Sequence, residues 1–243
     1  MRLTPYTVYS RVPKRMPYTL GFDRYALYFD GVDDYVEVPV SSVINDTFVG
    51  RYWTVEVMLK WLGHRAEGAA MIWSTGDTRY WFEPGYDFEL RGVVAYADGT
   101  YASSGPTGLY PTKDKWMYIA FVRDNLERRV YLNFKKWTQP LEDKDGLTPD
   151  HLYIAHEGPT EWLYGLYAFI RVYNRALSEK EIRYNMLNYH NPVRDGLILW
   201  LDFEEGHGDK VYDKSGYGNH GTIYGGAKWV RVRQYELRAE VGL

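Results

Sequence analysis

The stretch Ala26–Pro39, ALYFDGVDDYVEVP, constrains the fold more than any other part of this chain. An apolar run, Ala26–Leu27–Tyr28–Phe29, enters a tight acidic turn, Asp30–Gly31–Val32–Asp33–Asp34. A second run then alternates through Tyr35, Val36, Glu37 and Val38. Alternation places successive side chains on opposite faces of a strand, and Pro39 has no N–H with which to extend a ladder. Two half-buried strands joined by a short loop are therefore predicted.

From Tyr25 to Tyr173 the chain continues in short segments broken by glycine, proline and aspartate. Strands are predicted at Trp53–Trp61, Ala69–Ser74, Tyr86–Tyr96, Trp116–Arg123, Arg129–Phe134, His151–Ala155 and Gly165–Tyr173. In the first of these, Trp53, Val55, Val57, Leu59 and Trp61 share one face. Thr54, Glu56, Met58 and Lys60 share the other, which predicts one core side and one largely wet side. Asp124–Asn125 suits a hairpin loop, since both residue types tolerate turn conformations. One helix is predicted, from about Glu179 to about Tyr189. Ser178 and Glu181 form a capping box, Leu177 and Ile182 a hydrophobic staple, and Pro192 bars continuation.

The phrases ALYFDGVDDYVEVP and RVYNRALSEKEI (Arg171–Ile182) resemble the opening and closing strands of the concanavalin-A-like, laminin-G-like jelly-roll family. The resemblance implies an all-β fold, an antiparallel jelly-roll β-sandwich with one short helix. A third match, GLILWLDFEEGHGDKVYDKSGYGNHGTIYGGAKW (Gly196–Trp229), is similar to the family's opening segment but follows the closing helix. Three readings stand. The segment folds back as a circular permutation, it is exchanged into a neighbouring sandwich, or it begins a truncated repeat. The expected organisation is a basic, proline-containing arm at 1–22, a sandwich at 23–195, and a segment at 196–243 that completes the same or a neighbouring sandwich.

Composition narrows the function. A net charge of −3 argues against nucleic acid as the main partner. The chain has no cysteine, so neither a disulfide framework nor thiol chemistry is available. No apolar run reaches membrane-spanning length. The 24 tyrosines suit strands and also exposed recognition surfaces.

Aromatic residues beside turns are the candidate ligand contacts, with Trp81, Tyr86 and Trp162 the foremost, because flat rings with a few hydrogen bonds make open sugar-binding surfaces. Most sandwich aromatics are core residues, and that reading stands beside the first. For a metal, the candidates are Asp30, Asp33, Asp34, Asp213 and Asn219. Their hard oxygens suit calcium, and the resemblance implies that calcium sites occur in this superfamily. The alternative is tight turns held by Asx hydrogen bonds. The resemblance also implies an acidic pair before RVYNRAL, where this chain has Ala168 and Phe169. Some relatives hydrolyse glucans through a Glu-x-Asp-x-x-Glu constellation, which does not occur here. Asp87 and Glu89 share a strand face but lack a third member, and the six histidines form no HExxH spacing.

The expected function is a non-catalytic surface module that recognises glycans or proteins. With no apolar stretch behind the N-terminal charges to serve as a secretion signal, the expected setting is the surface of a virion or phage-type particle, as a structural, decoration or attachment protein. Its partners would be copies of itself or other particle subunits. A free carbohydrate-binding lectin is the alternative, and a glycoside hydrolase the third reading.

Overall fold

The computed structural model describes residues 23–63, 69–74, 78–83, 89–157 and 161–241. The elements run β1 (Asp23–Asp30), β2 (Tyr35–Val38), α1 (Ser42–Val49), β3 (Tyr52–Gly63), β4 (Ala69–Ser74), β5 (Thr78–Glu83) and β6 (Glu89–Ala95). Next come β7 (Tyr101–Ser103), β8 (Trp116–Asp124), β9 (Glu127–Leu132), β10 (Lys135–Pro140), β11 (Leu152–Ile154), β12 (His156–Glu157) and β13 (Glu161–Trp162). The chain ends with β14 (Tyr164–Tyr173), α2 (Glu179–Leu187), β15 (Leu197–Leu201), β16 (Lys210–Val211), β17 (Gly221–Tyr224), β18 (Lys228–Arg233) and α3 (Gln234–Glu240).

Two antiparallel sheets face each other as a jelly roll. The first has the order β10-β9-β8-β3-β14-β1-β18, and the second β16-β17-β2-β11-β4-β5-β6-β7. In the first sheet β14 pairs with β3 along its length, while β1 takes Tyr164–Tyr167 and β15 takes Ile170–Tyr173. Alternation sends Leu27, Phe29, Val36, Val38, Val55, Val57, Leu59, Leu152, Ile154, Ile170 and Val172 into one core between the sheets. Burying such a side chain contributes roughly 1.5–3 kcal/mol.

The other face of β3 is not wet, which corrects the sequence expectation. Thr54, Glu56 and Met58 are fully buried, because α2 and α3 cover that face with Ile182, Met186 and Leu237 over Met58, Trp116, Tyr118 and Phe169. Glu56 is tolerated there because its charge is met. Arg171 Nη1 lies 3.3 Å away, and Tyr118 Oη (2.5 Å) and Asn185 Nδ2 (2.9 Å) donate to it. Burial still pushes its carboxyl upward. Arg171 also donates to the Tyr189 carbonyl, and Val193 N–H donates to Asn185 Oδ1, so the network ties the end of α2 to the sheet.

Among the described residues there are three helices rather than one. Helix α1 lacks a side-chain cap at Ser41, which left little signal in the sequence. Helix α2 keeps its capping box, with Glu181 N–H donating to Ser178 Oγ and Ser178 N–H to the Glu181 carboxylate. It stops at Leu187, two residues before the expected end, because Asn188 leaves the helical conformation (φ −121°, ψ 46°). Asn125, at φ 53°, makes the turn between β8 and β9.

The C-terminal segment folds back on its own chain. Strand β18 pairs with β1 from Asp23↔Arg233 to Tyr28↔Lys228, and β17 pairs with β2 from Thr222↔Glu37 to Tyr224↔Tyr35. Strands β1 and β18, from opposite ends of the chain, thus lie side by side as an antiparallel pair. The basic arm at 1–22 lies outside the described residues.

Candidate functional site

Because Val36 and Val38 point inward, Tyr35 and Glu37 come to the outer face of the second sheet, half-buried. On β11 the same alternation buries Leu152 and Ile154 and turns Tyr153 outward. Register then assembles a row: Tyr224 opposes Tyr35, and Tyr153 opposes Glu37. The β12–β13 hairpin adds His156 and Trp162 as cross-strand partners. The rings meet closely. Tyr35 stacks on Tyr224 (4.9 Å, 17°), His156 on Trp162 (4.0 Å, 18°) and His151 on Tyr153 (4.5 Å, 19°). Tyr35 and Tyr153 meet edge to face at 5.4 Å, and Tyr35 lies 5.1 Å from His156.

Partial burial disfavours the charged forms of three of these rings. It pushes the Tyr35 and Tyr153 phenols upward, with the Glu37 charge adding to the effect. Half-burial, reinforced by His151, lowers the His156 imidazole to about 4. A flat aromatic surface bordered by the Glu37 carboxylate can receive the apolar face of a ring while offering it a hydrogen-bond acceptor.

The acidic turn sits at the platform's edge, directly before Tyr35. Carboxylate oxygens of Asp30, Asp33 and Asp34 lie within 4.8 Å of one another. Asp34 accepts from Asp30 N–H at 2.8 Å, and Asp30 Oδ1 from Val32 N–H at 2.9 Å. Burial raises the Asp34 carboxyl. Three hard oxygen donors suit a cation such as calcium, and these three residues could hold one.

Asp213 and Asn219 do not join that group. Both Asp213 oxygens are taken within its own neighbourhood, Oδ1 by the N–H groups of Trp200 and Ser215, and Oδ2 by Ser215 Oγ and Asn219 N–H. The Asn219 amide donates to the Ile198 carbonyl. This is the Asx-turn arrangement. The loop lies before β17 and the acidic turn beside its far end, since Tyr224 opposes Tyr35.

Trp162 is the expected ligand residue that the structure brings into the platform. Trp81 lies in β5, in backbone register with Ala70 and Arg91, and its side chain is outside what is described. Tyr86 and Asp87 fall outside the described residues. Glu89 is buried and engaged by Arg91 (3.2 Å) and Gly108 N–H, a structural arrangement. Tyr35, Tyr153, His156 and Tyr224 were not singled out from sequence. The outward phase of Tyr35 and Tyr153 was readable in the alternation, but Tyr224 joins them only once the C-terminal segment has been placed.

A sequence profile of the concanavalin A-like lectin/glucanases superfamily, of the Laminin_G_3 type, matches residues 30–183. No curated protein sequence matches the chain. Among solved structures it is similar to a Bacteroides ovatus ATCC 8483 protein described as a "putative carbohydrate binding protein", with a TM-score of 0.65 and 18% identity. That match covers 86% of this chain and 60% of the other, so the chain spans less than two thirds of that protein. A native heptameric SAP-like pentraxin from Limulus polyphemus superposes with a TM-score of 0.55 at 14% identity, covering 88% of this chain and 97% of that one. At these identities the likeness is one of fold. With the profile spanning most of the chain, from the acidic turn to helix α2, the protein belongs to the concanavalin A-like lectin/glucanase superfamily.

Proposed function

We propose that this protein is a non-catalytic, lectin-like module that binds glycans on the outer face of its second sheet. The observation that carries the reading is the half-exposed platform of Tyr35, Tyr153, His156, Trp162 and Tyr224, five rings from three strands and the β12–β13 hairpin gathered on one face. Stacking against sugar rings with a flanking carboxylate is the chemistry such a surface supports. The description of the Bacteroides ovatus relative points the same way. A setting on the surface of a particle, as one subunit among others, is the finer part of the proposal.

Saturation-transfer NMR against a panel of neutral oligosaccharides tests it. The expected result is transfer to at least one glycan that Trp162→Ala and Tyr35→Ala each abolish while the fold is retained. Transfer that survives both substitutions, or none across the panel, rejects the platform as the site.

A further inference from the structure

On the opposite, helix-covered face of the sandwich, a cavity of about 320 Å³ opens beside β15, lined by Arg24, Arg194, Trp200, Asp202, Glu204 and Lys214 among others. That volume is at the lower end of small-molecule sites. Trp200 is 6% exposed and Asp202 7%. Within them, the Trp200 Nε1 donor and the Asp202 Oδ1 acceptor have no hydrogen-bond partner among the described residues. Leaving a buried polar atom unsatisfied costs about 1–3 kcal/mol, so both atoms ask for a group from outside. The other Asp202 oxygen is engaged by Lys214.

A buried donor and a buried acceptor, carried by two residues that line one cavity, match a hydroxyl, which accepts from the indole and donates to the carboxylate. Charge adds a second requirement. Three cations, Arg24, Arg194 and Lys214, face two carboxylates, Asp202 and Glu204. Arg24 is committed to the Ala168 and Asp202 carbonyls (2.6 Å each) and to Glu204 (3.2 Å). Arg194 has no carboxylate partner among the described residues. It lies over the Trp200 ring at 4.4 Å and makes one long contact, 3.3 Å, to the Lys214 carbonyl. His190, also in the wall, is held to about 4 by burial and the surrounding arginines, so it adds no charge at neutral pH.

We propose that this cavity is a second ligand site, separate from the aromatic platform, for a sugar acid of monosaccharide size. A ligand hydroxyl sits between Trp200 Nε1 and Asp202 Oδ1, and the ligand carboxylate pairs with Arg194. The two sites fail independently, since no residue is shared between them.

The probe is D-glucuronate, titrated against the full chain by calorimetry, with D-glucose as the neutral comparison. Saturable binding of glucuronate, stronger than that of glucose, is expected. Arg194→Ala and Trp200→Phe should each weaken it about tenfold or more, as a charge-assisted bond and a buried hydrogen bond require. Trp162→Ala should leave it unchanged. Absence of saturable glucuronate binding overturns the proposal, as does equal affinity for glucose or affinity unaltered by Arg194→Ala. That last variant changes a side chain at the cavity rim and decides the matter even if Trp200→Phe disturbs the packing.

Discussion

Tyr35 and Tyr224 stack at 4.9 Å with their ring planes 17° apart, one carried by β2 and the other by β17 of the C-terminal segment. Each ring presents a face to the other, and such a pair contributes about 0.5–1.5 kcal/mol beyond its buried area. Tyr224 is 42% exposed, so shortening it leaves no core cavity. Tyr224→Ala should lower the free energy of unfolding by about that amount in urea titration and weaken glycan binding at the platform. Tyr217→Ala is the control, an exposed tyrosine of the same segment. Equal effects of the two substitutions would show that the stack has no special part.

Histidine gives the fold a pH dependence with a definite sign. His156 is lowered to about 4 from an ordinary 6.5, so the folded protein binds that proton less readily than the unfolded chain does. The stabilisation is complete above about pH 6.5 and is lost as pH falls towards 4. His190, also at about 4, acts in the same window. Glu181, held at about 2 mainly by Arg175, loses its contribution only below its ordinary 4.5. The urea midpoint should therefore fall between pH 6.5 and 4.5, and His156→Gln should flatten part of that slope. An unchanged slope in the variant would place the sensitivity elsewhere.

Much of this architecture was readable in the residues, and the exceptions have physical reasons. Alternation in Tyr35–Val38 and Trp53–Trp61 is a local signal, and so is the Ser178–Glu181 capping box; each reappears in the structure. What covers a strand face is not local. Glu56 and Thr54 look like solvent-facing residues until α2 and α3 are laid over them, and the Arg171 and Asn185 that satisfy Glu56 come from 115 and 129 positions away. The platform shows the same limit. Trp162 declared itself by its place beside a turn, whereas Tyr224 acquires its neighbours through a strand pairing that spans most of the chain. Asp213 and Asn219 looked like ligands because hard oxygens and Asx-turn acceptors are the same atoms.

Two adjacent glycines separate conformation from contact. Gly225 (φ 80°) and Gly226 (φ 109°) both adopt backbone that L side chains rarely take, in the turn between β17 and β18. A Cβ on Gly225 would also collide with the Asp33 carbonyl, while one on Gly226 would meet nothing within 4 Å. Gly226→Ala should cost about 1–2 kcal/mol from strain alone. Gly225→Ala should cost more and displace the acidic turn, visible as backbone amide shifts at Asp33 and Asp34. Equal costs with undisturbed amides would mean the two turns are not in contact.

Completion of the sandwich by its own C-terminal segment makes the strongest prediction. All five residues of β15, Leu197–Leu201, are buried, and at roughly 1.5–3 kcal/mol each they match about the whole net stability of a typical domain. Residues 1–195 expressed alone should therefore lack cooperative unfolding, and residues 196–243 alone should be unstructured. The cut falls beyond α2, in the irregular stretch before β15, and breaks no sheet pairing. Mixed, the fragments should recover near-ultraviolet circular dichroism and a single urea transition, because β15, β17 and β18 still find β14, β2 and β1. Light scattering of the intact chain should give the mass of one copy if the segment closes its own sandwich. A larger discrete mass that collapses to one copy on removal of 196–243 would instead assign those strands to a neighbour, and the platform, with Tyr224 supplied from outside, would become a site built at a subunit interface.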